Sequence, residues 1–132
     1  MTRDEIYQDI KATFGLLPEF FTHLPDATLE NDWNTFKSFE LSETAIPLKY
    51  KELMGLAVAS LKECPYCIYF HTEVARFFGA TQEELNEAAR VGMQTAGWST
   101  FISGTSQDLD AFKREIHTSL DYLRQKKEQK AA

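Results

Sequence analysis

Apolar residues recur along the chain at intervals of three and four and nowhere alternate over a sustained run, so the pattern predicts helices throughout and no sheet. Thr2 with Glu5 three residues later forms a capping-box pattern ahead of Ile6, Ile10 and Phe14, and Gly15 closes that helix. Pro18 to Leu24 predicts a short helix stopped by Pro25. Asp26 is placed to cap the next helix, which carries Leu29, Trp33 and Phe36 and runs to about Leu41. Ser42 to Pro47 is a connection. From Leu48 to about Lys62 a further helix follows. Its second half, Leu53 through Leu61, has no charged residue, which predicts a segment nearly surrounded by protein.

Cys64 precedes a proline, which disfavours helical geometry at Cys64 itself. Pro65 suits a first helical position, where its missing N–H would be unpaired anyway. Cys64 therefore falls at or near the N-cap of a helix running to about Phe78 and ended by Gly79. Thr81 and Glu84 make a second capping box, opening a helix through Leu85, Ala88, Ala89 and Val91. Gly92 and Gly97 bracket a stretch that the pattern leaves open. A last long helix starts near Ser106 to Asp108 and carries Leu109, Phe112, Ile116, Leu120 and Leu123; the basic run Lys126 to Lys130 is expected to be a solvated, frayed end. The fold class is all-α, one domain over residues 1–132, centred on the helix pair at about 48–62 and 65–78.

Composition narrows the function classes. The chain has 132 residues, 43% of them hydrophobic, within the size range of one domain with its own core. Such a core needs no disulfide or metal to hold it, which leaves the two cysteines available for chemistry. Fourteen basic against 20 acidic residues give a formal charge of −6, which argues against nucleic acid or an anionic membrane as the main partner. No stretch approaches the roughly 20 apolar residues of a membrane span, and the polar start Met1-Thr2-Arg3-Asp4-Glu5 is no secretory signal. A cytoplasmic location is expected. In that reducing compartment a C-x-x-C pair is catalytic or metal-binding rather than a structural staple.

The chemistry concentrates in Cys64-Pro65-Tyr66-Cys67-Ile68-Tyr69-Phe70-His71. A thiol at a helix N-terminus faces unpaired N–H groups and the positive end of the helix dipole, and both favour the reactive thiolate. Cys67 lies one turn on, close enough to Cys64 for a disulfide. His71 is four residues beyond Cys67 on the same face, placed to act as a base on its sulfur. Glu52 lies on a stripe with Leu48, Gly55, Leu56 and Ala59, so its carboxyl is expected to face the core, where it requires a partner. Glu52 and His71 are about equally far from the Lys62–Pro65 junction, so antiparallel packing of the two helices brings them together.

A structural zinc site is the competing reading of the cysteine pair. It would need Cys64, Cys67, His71 and a fourth ligand such as His23, His117 or Glu52, with no second C-x-x-C or paired histidines to supply it. The cysteines could otherwise be inert core residues and His71 a core histidine, but their shared helical face favours a thiol redox site. His23 and His117 receive no role. The aromatic stripes, Trp33 with Phe36 and Phe77 with Phe78, are core or subunit interface.

The set Glu52-x₁₁-Cys64-x₂-Cys67-x₃-His71, flanked by the uncharged helix ending at Leu61 and by Gly79-Ala80-Thr81-Gln82-Glu83-Glu84-Leu85, resembles the signature of the alkylhydroperoxidase D / carboxymuconolactone decarboxylase superfamily. The resemblance implies an AhpD-like helical fold, a homo-oligomer (commonly a trimer or hexamer), and peroxidase or disulfide reductase activity carried by the paired thiols without a cofactor or metal. Decarboxylating members generally lack the C-x-x-C, so its presence points to the redox branch. The alkylhydroperoxidase itself has a histidine immediately before the second cysteine, where this chain has Tyr66. The resulting expectation is an antioxidant enzyme that reduces hydroperoxides through a Cys64–Cys67 disulfide and is recharged by an external dithiol. The same dithiol could instead serve as a disulfide reductase or as a non-enzymatic redox-sensing module.

Overall fold

The computed structural model describes residues 1–132 and contains seven α-helices and no strand. They are α1 (Arg3–Phe14), α2 (Glu19–Thr22), α3 (Asp26–Thr35), α4 (Leu48–Leu61), α5 (Pro65–Phe77), α6 (Gln82–Gly104) and α7 (Leu109–Ala131), with a π-helical turn at Phe36–Glu40 directly after α3. No helix is long and apolar enough to cross a membrane. The chain forms two compact units, Met1–Ala89 and Arg90–Ala132, and α6 runs through the boundary.

In the first unit α1 packs on α3, and α4 packs along α5. Thr2 and Glu5 form the reciprocal capping box that starts α1, and Gly15 ends it in the left-handed region (φ 79°). Ile6, Ile10, Phe21, Leu29 and Trp33 form one buried cluster, ringed by Phe14 and Phe36. Phe21 meets Trp33 at 5.4 Å and Phe36 at 5.6 Å edge-on, an arrangement that ring quadrupoles favour, while Trp33 and Phe36 stack at 6.1 Å. The indole N–H of Trp33 donates to Asp9 at 2.7 Å, so this buried ring leaves no polar atom unpaired. A second cluster, Leu56, Ala75, Leu85 and Ala88, seals α4 and α5 against the start of α6. Lys49 pairs with Glu84 at 2.8 Å across the same seam.

Several local expectations change. Asp26 does not cap α3: Pro25 occupies the N-cap, and Asp26 is the first helical residue, its carboxylate taken by Arg3. Gly92 and Gly97 interrupt nothing, because both lie inside the continuous helix α6. Isolated glycines weaken a helix by only about 1 kcal/mol each, which neighbouring good helix formers offset. The basic tail is helical to Ala131 rather than frayed. The uncharged half of α4 is not surrounded: Leu56 and Ala59 are buried, but Met54, Val58 and Leu61 are each about half exposed. In the second unit α7 buries none of its side chains, and Ile116, Leu120 and Leu123 lie open along it.

Trp33→Ala should destabilise the protein by about 3–5 kcal/mol, since it empties the centre of the aromatic cluster and strips Asp9 of a donor. A shifted urea midpoint with an unchanged slope would record this.

Candidate active site

The site begins where α4 reverses into α5. The Glu63 N–H donates to the Ser60 carbonyl and the Cys64 N–H to the Ala59 carbonyl, both at 3.2 Å, while Glu63 takes a left-handed conformation (φ 52°). This is Schellman geometry with glutamate where glycine is usual. The residue that completes it, Cys64, is at once the N-cap of α5. Its backbone is extended (φ −90°, ψ 104°), Pro65 follows as the first helical residue, and its Sγ accepts the Cys67 N–H at 3.3 Å.

The two thiols are free, and their sulfurs lie 2.7 Å apart. The hydrogen bond from the Cys67 thiol, then the one from the Cys67 backbone N–H, holds the Cys64 thiol below the ordinary range. The Tyr66 N–H and the Lys62 charge add to this. The same sulfur–sulfur hydrogen bond pushes Cys67 up, assisted by desolvation and by the charge on Cys64. One proton is therefore held on Cys67, and Cys64 is the first to ionise.

Glu52 is only 3% exposed, and its Oε2 lies 2.6 Å from His71 Nδ1. With Nδ1 donating to the carboxylate, Nε2 is left as the acceptor of the ring. Gly55, one turn along α4, makes this contact possible. A Cβ on Gly55 would stand 2.5 Å from both Nδ1 and Cε1 of His71, so the ring lies directly against the α4 backbone. Phe70 meets the ring edge-on at 5.3 Å.

Cys67 and His71 share the wall of one pocket of about 560 Å³, completed by Phe20, Phe36, Glu40, Pro65, Tyr66, Tyr69 and Phe70. Cys64 is not part of that wall. The structure thus brings all four residues singled out in the sequence into two joined pairs, Cys64 with Cys67 and Glu52 with His71. It places no hydrogen bond between His71 and either sulfur; they meet only across the pocket. His23 and His117, the other candidate ligands, are exposed, 3.8 Å from Glu19 and 3.4 Å from Asp121 respectively. No group of three or more histidine, cysteine or acidic side chains is arranged to hold a metal ion.

Two residues escaped the sequence reading. Gly55 was visible only as a small member of the Glu52 stripe. Glu40 continues the spacing Leu29, Trp33, Phe36 and so belongs to an otherwise apolar face, a signal present in the sequence.

With this geometry in view, the relatives fall into place. The model of the carboxymuconolactone decarboxylase family matches residues 26–105, and the chain belongs to that family, within the AhpD-like superfamily. Its fold is similar to the crystal structure of the alkylhydroperoxidase AhpD core from Rhodospirillum rubrum, with a TM-score of 0.71 and 25% identity over 83% of this chain and 84% of that one. A protein of Paracoccus denitrificans, named as the fourth uncharacterized protein of its cox locus, is 31% identical over 52% of this chain and 61% of its own length. An uncharacterized protein of Cupriavidus necator is 36% identical over 40% of this chain and 47% of its own. The matches thus span less than two thirds of these curated relatives.

The order of ionisation is open to measurement. As pH rises, iodoacetamide should label Cys64 first and Cys67 only at higher pH, read by peptide mass spectrometry. Cys67→Ala removes the donor to Cys64 and should move the Cys64 labelling midpoint upward.

Gly55→Ala should force His71 off Glu52, abolish the low-field Nδ1 proton signal of a carboxylate-bound imidazole in NMR spectra, and destabilise the fold by about 1–3 kcal/mol. Gly97→Ala is the control. A Cβ there meets nothing within 4 Å, so the change should be neutral or stabilising by up to about 1 kcal/mol.

Proposed function

We propose that the protein is a thiol-dependent oxidoreductase that reduces hydroperoxides by cycling Cys64 and Cys67 between dithiol and disulfide. The observation that carries this reading is the sulfur pair at 2.7 Å on a helix N-terminus, with one sulfur facing an apolar pocket that also holds the His71–Glu52 pair. The AhpD-like fold supports it.

Cys67 faces the pocket, so it meets the oxidant. Its proton has two acceptors: the Cys64 sulfur to which it is hydrogen-bonded, and His71, directly or through a water, with Glu52 holding the ring in place. The Cys67 thiolate attacks one oxygen of the hydroperoxide. The S–O bond forms, the O–O bond breaks, and alcohol or water leaves with a proton, giving a sulfenic acid. Cys64, the more readily ionised thiol, then attacks that sulfur: the S–S bond forms, the S–O bond breaks, and the hydroxide leaves as water with the proton that Cys64 gives up. An external dithiol reduces the Cys64–Cys67 disulfide by exchange.

The exposure of Cys67 favours a second reading, a disulfide reductase using the same pair on an oxidised partner. The open apolar faces of α4 and α7 support assembly with further copies of the chain, as a trimer or hexamer, because patches of this kind on a lone chain mark interaction sites.

Steady-state turnover with cumene hydroperoxide and a dithiol such as dihydrolipoamide tests the reading. Cys64→Ser and Cys67→Ser should each abolish turnover, and Glu52→Gln should slow it by about 10- to 100-fold while leaving the helical content intact. Exchange with a disulfide substrate but no peroxide turnover in the wild type would favour the reductase.

A further inference from the structure

The pocket contains a second carboxyl that the cycle above does not use. Glu40 lines it together with Cys67 and His71. It is the last residue of the π-helical turn, closed by the Leu41 N–H donating to the Phe36 carbonyl at 3.1 Å. Single π turns of this kind are rare and recur at functional sites. The turn is clamped on both sides of Glu40: the Lys51 ammonium, on α4, donates to the Phe39 carbonyl at 2.5 Å and to the Ser42 carbonyl at 2.9 Å. The Ser42 hydroxyl donates to the Lys37 carbonyl at 2.6 Å. With the backbone held this way, the Glu40 side chain is half-buried and forms neither a hydrogen bond nor an ion pair within the protein. Burial pushes its carboxyl up, the Glu52 charge pushes the same way, and His71 opposes them. A carboxyl that holds its proton more tightly than usual, unpartnered, and lining the space where an oxidant would sit is placed to give that proton up.

We propose that Glu40 is the general acid of the peroxidase step, protonating the oxygen that leaves when Cys67 attacks; this rests on the hydroperoxide reading above. The Cys67 proton passes to His71. The Cys67 sulfur bonds the near oxygen, the O–O bond breaks, and the departing alkoxide takes the Glu40 proton and leaves as alcohol, giving Cys67 sulfenic acid and the Glu40 carboxylate. Cys64 then displaces hydroxide, which takes the His71 proton and leaves as water. Glu40 is reprotonated from solvent. Tyr66 and Tyr69 also border the pocket, but they are 86% and 71% exposed, at its rim. The groups facing Glu40 are Glu52 from α4 and His71 and Cys67 from α5.

The leaving group separates this role from a structural one. An alkoxide needs a proton to leave; the carboxylate released from a peroxy acid does not. Glu40→Gln should lower kcat/KM for cumene hydroperoxide by about 100-fold and leave that for peroxyacetic acid within about threefold. The wild-type rate with cumene hydroperoxide should fall at high pH as Glu40 loses its proton, and this limb should vanish in Glu40→Gln. Glu40→Asp, which keeps an acid, should recover part of the rate. Iodoacetamide labelling of Cys64 and Cys67 should be unchanged in all three proteins. Equal losses on both oxidants, no loss on either, or altered labelling would each overturn the assignment. A wild type that turns over neither oxidant, or a Cys67→Ser protein that still does, would instead remove the peroxidase reading itself.

Discussion

The burial of Glu52 is the constraint around which the site is arranged. A carboxylate removed from water either finds a partner or gives up its charge. Here the partner comes from the neighbouring helix, and reaching it fixes much else. The imidazole lies flat enough on α4 only because residue 55 has no side chain. The register that brings His71 to Glu52 depends on the short Schellman reversal after α4, and that reversal leaves Cys64 as the cap of α5. One turn on, Cys67 is carried to the pocket wall beside the ring. Removing either member of the Glu52–His71 pair leaves the other uncompensated, so the pair holds the helix packing and the chemistry together.

Within the sulfur pair, position divides the labour. Cys64 is stabilised as an anion first by the Cys67 thiol and then by the Cys67 and Tyr66 N–H groups of the helix start, and so ionises more readily. Cys67 is harder to ionise, yet it is the sulfur with access to the pocket. In the proposed cycle a peroxide would therefore meet the less acidic and intrinsically more nucleophilic thiol, while the more acidic one would close the disulfide and be the better leaving group when it reopens.

Much of this was legible in the sequence, for identifiable reasons. The caps at Thr2 and Thr81 and the stop at Gly79 are local hydrogen-bond chemistry, and local patterns report them directly. Glu52 and His71 could be paired because a short connection between two helices leaves one antiparallel register. What failed depended on groups distant in sequence. Asp26 lost its capping role to the Arg3 guanidinium, which no local window contains. The pattern leaves the stretch between Gly92 and Gly97 open because glycine is permissive, and permissive residues follow the helix that their neighbours enforce. Gly55 and Glu40 acquire meaning only from what stands opposite them. The exposure of Met54 and Val58 shows the limit of the same logic, since an uncharged stretch does not say which of its side chains the fold buries.

The sulfur pair with its imidazole and buried acid, and the side chains that complete the pocket around them, come from different parts of the chain. Glu52, Cys64, Cys67 and His71 lie within one hairpin, whereas Phe20, Phe36 and Glu40 reach the pocket from upstream. The shape of the pocket is thus separable from the sulfur pair: substitutions at the upstream aromatic positions would reshape which molecules fit, while the hairpin keeps its thiols, imidazole and buried acid in place.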